Sequence, residues 1–357
     1  MLPTHESTVL DGTPTGLYAG SWREVWRVSS ERAFRTWEKV VKRIADDTLL
    51  HCAVYLFASE GDARAGENSG GSGFLVGVPW EAETSVQNQH VYAVTAAHVI
   101  EHGNPIIRLN TRNDATTSIA LHKGNWICHP KGDDIAITRL ELDGDIYRYE
   151  FIHGTPAICM TEQLAKIVGL GPGDALFMIG RFMGRDKEPL NSPILRFGHL
   201  AGLKTEVVSE GERRHDYMQE SFLVEVHSIS GFSGSPVIVV IPANRIPDEL
   251  KDEYSYPDQY YLLGVDWGHL DETTFPGMAG VVPAWKLLDL LNADEVVQMR
   301  RERESKVAGK RHPRLDDRSR TQQTLAKNKR DRIDIPIPDK SQFERDLTKA
   351  VRRKRDK

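Results

Sequence analysis

Cysteine is nearly absent from this chain of 357 residues: Cys52, Cys128 and Cys159 are too few and too scattered for a disulfide framework or a paired Cys-x-x-Cys zinc site. Each sits inside or beside an apolar run, which reads as a buried free thiol rather than a nucleophile. Long apolar runs are missing too, with no stretch near the roughly 18 consecutive apolar residues that a membrane span needs. The opening "MLPTHESTVLDGTPTG" has neither a basic start nor an apolar segment, so no secretory signal and a cytoplasmic location are expected. No glycine-rich phosphate loop opens a helix after a strand, which removes support for nucleotide binding. His90, His102, His122 and His129 lack metal-ligand spacing, so neither a metal nor another cofactor is expected.

Charge is present but unevenly placed. Residues 300–357 hold 21 Lys and Arg against 10 Asp and Glu, a net of +11, whereas the rest of the chain carries −16. That basic segment has few large apolar residues, and "IDIPIPD" stops any helix within it. Residues 293–357 as a whole are expected to be a charged, largely disordered, solvated tail. Contact with nucleic acid is the competing reading, and the lack of interleaved aromatics disfavours it. After Ser341, Phe343 and Leu347 stand at i, i+4 spacing and predict a short terminal helix. At the other end, Phe34, Trp37, Val40, Val41 and Ile44 form an apolar stripe with charges between, the pattern of an amphipathic helix within residues 1–47. Either helix, or the tail, is a candidate contact for a regulatory protein.

From residue 49 to about 292 the chain changes to short apolar runs rich in β-formers, among them "GFLVGVP", "HVYAVTA", "DIAITRLEL", "SPVIVVI" and "YYLLGVDWG". Gly, Pro, Asn and Asp separate them, and no helices of 10 to 15 residues alternate with them. An all-β sandwich or a pair of barrels follows. The runs divide near residues 143–173, a long connection with its own turn of helix, and "AWKLLDLLN" predicts a short closing helix.

Three fragments need a joint explanation: "VTAAHVI" with His98, "KGDDIAITRL" with Asp133 and Asp134, and "GFSGSP" with Ser233. Acyl transfer by a serine requires a neutral imidazole to accept the hydroxyl proton and a carboxylate to hold that imidazole in the right tautomer. His98 follows two alanines small enough for a tight turn. Asp134 opens an apolar strand, where a charge needs a partner. A developing oxyanion needs preorganised backbone N–H donors, which Gly231 and Ser233 would supply.

This set resembles the trypsin/chymotrypsin-like serine proteases, with "TAAH", "DDIA" and "GFSGSP" in the family's order. "GSGFLV", "GDALFMIGRF", "LLGVDWG" and "GMAGVVPAW" look most similar to HtrA-like and related bacterial branches, with no PDZ-like segment following. The resemblance covers residues 48–292. It implies two packed six-stranded antiparallel Greek-key β-barrels, at about 48–145 and 170–292, and a serine endopeptidase acting on protein or peptide substrates. It also prefers Asp134 to Asp133 as the acid and Ser233 to Ser235 as the nucleophile.

The same resemblance places His227 and Ser228 at the base of a specificity pocket and Asp266, Trp267 and Gly268 along the substrate strand. Two departures stand out. Phe232 occupies the position of the aspartate that captures a new N-terminus in trypsin-like zymogens, so that activation switch is lost. Asp266 replaces a small residue beside the buried triad acid, where it either raises a carboxylate pKa and weakens the triad or turns into the specificity pocket. If these changes spoil the site, the chain is an inactive protease-like scaffold that binds partners.

Overall fold

The computed structural model describes residues 48–81, 88–181, 190–209, 217–226, 231–246, 260–270, 277–311, 321–325 and 332–336. The stripe at residues 34–44, the helix expected after Ser341, His227 and Ser228 all lie outside the described residues. The chain falls into two compact units, Met1–Val297 and Gln298–Lys357.

The first unit is mostly β. Its leading strands are β1 (Ala53–Phe57), β2 (Ser69–Pro79), β3 (Gln89–Thr95), β4 (Ile106–Asn110), β5 (Thr116–Ile119), β6 (Ile127–Cys128), β7 (Ala136–Leu140) and β8 (Ile152–His153). They form one sheet in the order β5-β4-β1-β2-β3-β7-β6, with β8 paired to β2. The later strands are β9 (Ala175–Gly180), β10 (Ile194–Ser209), β11 (Tyr217–Val226), β12 (Pro236–Val240), β13 (Tyr260–His269) and β14 (Met278–Pro283). These six close into a barrel in the order β10-β11-β14-β13-β12-β9.

The expectation of two six-stranded barrels is corrected for the first half, which has eight strands in an open order. Its end strands explain why. β5 is the half-exposed "TTSI" and β6 is two residues long, so neither offers an apolar edge long enough to pair with the other. The eighth strand, β8, comes from the stretch read as a connection and pairs parallel through Val76↔Ile152 and Gly77↔His153. Cys128 is a second correction: it is exposed, because alternation along so short a strand turns Ile127 inward and Cys128 outward. Cys52 and Cys159 are buried, and burial pushes both thiols up to about 12.

Strands with two buried faces explain the continuous apolar runs, since alternate residues feed different cores. Leu176 and Met178 point into the closed barrel, while Phe177 and Ile179 join the core between the two sheets. Val237 and Val239 divide from Ile238 and Val240 in the same way. From the first sheet, Phe74, Val76, Val94 and Ile137 meet that shared core, and Leu75, Ala93 and Ala136 face their own. The two sheets are therefore joined by a common apolar layer, and the loops at its rim are held at fixed separations.

Short helices mark the connections. They are α1 (Glu60–Ala65), α2 (Ala97–Glu101), α3 (Glu162–Ile167), α4 (Ala284–Leu291) and α5 (Asp294–Arg311). Beyond Gln298, the described residues include further elements. α5 runs to Arg311, and β15 (Thr321–Leu325) pairs antiparallel with β16 (Arg332–Pro336). The alternation of Ile333 and Ile335 with polar residues is a strand signal inside what reads as a helix stop. Among the described residues, no helix is long and apolar enough to cross a membrane.

Candidate active site

His98 sits in the first turn of α2, immediately after β3. A helix leaves its first N–H groups without intrahelical partners, and Ala96 at the N-cap has no side chain to satisfy them. Asp134 does so from the loop before β7: the His98 backbone N–H donates to Asp134 Oδ1 at 2.8 Å. The other carboxylate oxygen, Oδ2, lies 2.7 Å from His98 Nδ1. A carboxylate only accepts, so this contact puts the ring proton on Nδ1 and leaves Nε2 as the acceptor. One side chain thus fixes both backbone and ring. The His98 ring also meets His102, one turn later, edge to face at 5.6 Å between centroids.

Ser233 lies in the turn that leads into β12. The Ser72 N–H donates to the Ser233 carbonyl at 2.9 Å, and Ser72 Oγ donates to the Gly231 carbonyl at 2.7 Å, so β2 of the first sheet pins the loop from below. Gly234 N–H donates to the Asp266 carbonyl at 2.7 Å, and Ser235 N–H to the Phe232 carbonyl at 2.8 Å. Gly234 has φ +90°, and a β-carbon there would overlap the Ser72 carbonyl oxygen and Thr95 Oγ1. Only glycine lets this loop seat itself against the end of β3, three residues before His98 on its Thr95 side. Gly231 has φ +96°, and a β-carbon would approach the Arg181 guanidinium to 2.7 Å. Ser233 Oγ is 3.5 Å from the Trp267 carbonyl, and Gly268 is its neighbour on β13.

Side chains flanking Ser233 turn inward. Phe232 is wholly buried against Gly180, with the Arg196 guanidinium 5.2 Å from its ring centroid, so an aromatic ring anchors this side of the loop. Ser235 is equally buried, which keeps that rival hydroxyl behind the loop.

Asp266 and Trp267 lie at a register shift in β13, between the Asp266↔Val281 and Gly268↔Gly280 pairs. Asp266 has no exposure to solvent, and neither carboxylate oxygen takes a hydrogen bond. This corrects the suggestion that it lines a specificity pocket: a sealed carboxylate has no surface for a substrate to touch. Burial pushes its carboxyl up to about 7; the Gly268 amide, near but not in hydrogen-bonding geometry, and His98 pull it down, and Asp134 adds to the rise. Trp267 is held by its Nε1–H, which donates to Ser221 Oγ at 2.9 Å.

Asp133 points away from His98. Its Oδ2 is 2.9 Å from His129 Nδ1 and 3.4 Å from Lys286 Nζ on α4. Burial works against its charge, yet His129, Lys286 and Gln219 together hold the carboxyl below its ordinary value. Gln219, Ser72 and Arg181 have no signal in the sequence: each acts on a loop far away along the chain. Among the described residues, no group of three or more His, Cys, Asp or Glu is arranged to hold a metal.

No family model matches the chain, and no curated protein matches it. Among solved structures it is similar to the MamO protease domain of Magnetospirillum magneticum in its apo form, at 16% identity over 69% of this chain and 98% of that one, with a TM-score of 0.43. It is also similar to the active form of the Rv3671c protease of M. tuberculosis, at 13% identity over 68% and 80% of the two chains, with a TM-score of 0.39. A third is the HtrA-type protease AlgW with a decapeptide, at 14% identity over 62% of this chain and 51% of that one, with a TM-score of 0.36.

Proposed function

We propose that this chain is an intracellular serine endopeptidase. The observation that carries the reading is the double grip of Asp134 on His98, at 2.8 Å to the backbone nitrogen and 2.7 Å to the ring, beside a serine loop pinned to the same sheet. Ser233 Oγ attacks the scissile carbonyl while His98 Nε2 takes its proton, and Asp134 stabilises the imidazolium. The leaving amine then takes that proton from His98, an acyl-enzyme remains, and water repeats the sequence. Gly234 donates its N–H to the Asp266 carbonyl on β13 and Ser235 its own to the Phe232 carbonyl; the oxyanion donors, as the resemblance implies, are the N–H groups of Gly231 and Ser233.

An extended peptide suits the adjoining surface. β12 pairs with β13 only as far as Val265, whereas β13 continues to His269. Trp267 and Gly268 therefore offer strand edge beside Ser233, and a substrate added there as a strand would present its carbonyl to the hydroxyl. His227 and Ser228 remain the proposed base of the pocket. The free thiols Cys52, Cys128 and Cys159 fit a reducing compartment.

One observation favours a second reading. A buried carboxylate at Asp266, so close to the His98–Asp134 couple, would disable the site if it ionised during catalysis, leaving a scaffold that binds peptides without cutting them. A fluorophosphonate probe decides between them. Labelling of the wild type but not of Ser233→Ala supports the endopeptidase; no labelling at any pH from 5 to 9 supports the scaffold.

A further inference from the structure

Beyond the residues that would touch substrate, the loop carrying Asp134 is clamped by the opposite barrel. Gln219, on β11, is almost completely buried. Its Oε1 accepts the Asp134 backbone N–H at 2.9 Å, while its Nε2 donates to Asp133 Oδ1 at 3.1 Å and to the Glu220 carbonyl at 2.9 Å. One amide therefore binds two consecutive acids in opposite senses, accepting from one and donating to the other. A glutamate could not donate to Asp133, a leucine could do neither, and an asparagine would be a methylene too short. Asp133 is itself anchored from two more directions, by His129 and by Lys286, and Lys286 Nζ also meets Glu220 Oε2 at 3.1 Å.

We propose that Gln219 is a positioning residue that aligns Asp134 on His98, so the base is oriented only when the two β-sheets are docked. Its effect on rate rests on the endopeptidase reading; its effect on the His98–Asp134 contact does not. Asp134 makes both its contacts to His98 from a single loop position, and rotating its peptide would lengthen both. A misplacement of about 1 Å in such a group lowers rate about 10²-fold. Asp133, His129, Lys286 and Glu220 together hold the clamp's far end.

The test uses the full chain, a fluorophosphonate, and the downfield Nδ1 proton of His98 in the NMR spectrum. Gln219→Leu is expected to stay folded, slow labelling about 10²-fold and lose or broaden the His98 proton signal. Gln219→Glu and Asp133→Asn should each impair labelling. The double variant Gln219→Glu, Asp133→Asn reverses donor and acceptor in the contact between 133 and 219 while conserving charge, but leaves the Glu220 carbonyl without its donor, and should recover part of the loss. Wild-type labelling and an intact His98 signal in folded Gln219→Leu would overturn the inference. So would a folded double variant no better than its parents, which decides the matter should Gln219→Leu fail to fold. If the wild type never labels but Gln219→Leu still loses the His98 signal, the endopeptidase reading falls and the positioning role stands.

Discussion

Asp266 is the residue at which local chemistry departs furthest from the ordinary. A carboxyl moved from 3.8 to about 7 binds its proton more tightly in the folded chain than in the unfolded one. Stability from this group is therefore present at low pH and is lost as pH rises from about 4 through about 7, the opposite of a salt-bridged aspartate. About three units correspond to on the order of 4 kcal/mol. Asp266→Asn should flatten that slope: the gap in urea stability between pH 5 and pH 8.5 is expected to shrink by a few kcal/mol. An unchanged gap would mean that the carboxyl is not held protonated. His98 and Asp134 both act on this carboxyl, the first lowering and the second raising its proton affinity, and the variant should also extend labelling by fluorophosphonate to higher pH.

At the scale of the element, the serine loop is a turn whose shape is set by what surrounds it. Phe232 anchors one side in the barrel, Ser72 ties two carbonyls to β2, and Gly234 touches the end of β3. Gly234→Ala therefore meets backbone, not a flexible tip, in addition to the strain of a positive φ. It is expected to lower the unfolding midpoint and to abolish labelling; a variant that labels at the wild-type rate would show that the loop is not seated as described. Helix α2 illustrates how far an element is legible in the sequence. Its start after two alanines is visible, but the partner of its orphan N–H groups is a carboxylate 36 residues away. In the tail, alternation carries a signal that composition does not. A basic composition points to disorder, while the alternation in "RIDIP" permits a strand once a partner such as "TQQTL" is available.

Across the whole molecule, the site depends on the apolar layer that joins the two sheets, since His98 and Asp134 belong to one and Ser233 and Gln219 to the other. Ile238, buried in that layer, tests the dependence. Ile238→Ala should destabilise by about 2–5 kcal/mol and reduce labelling in step with the fraction unfolded in a urea titration. Loss of labelling well before unfolding would indicate that the sheets separate first, and no loss of stability would remove the shared core as the organising feature.

The amino-acid sequence by itself determined the strands, the division into two sets of them, and the three short fragments bearing His98, Asp134 and Ser233. Each of these is written in neighbours within a few residues: apolar runs, turn formers and small residues beside a reactive one. Tertiary structure alone decided that the first sheet stays open, that Asp266 is sealed, and that Gln219 spans the two sheets. The reason is physical: burial and hydrogen-bond partnership are properties of residues brought together from distant parts of the chain, and they come into being only when the two sheets close on their common core.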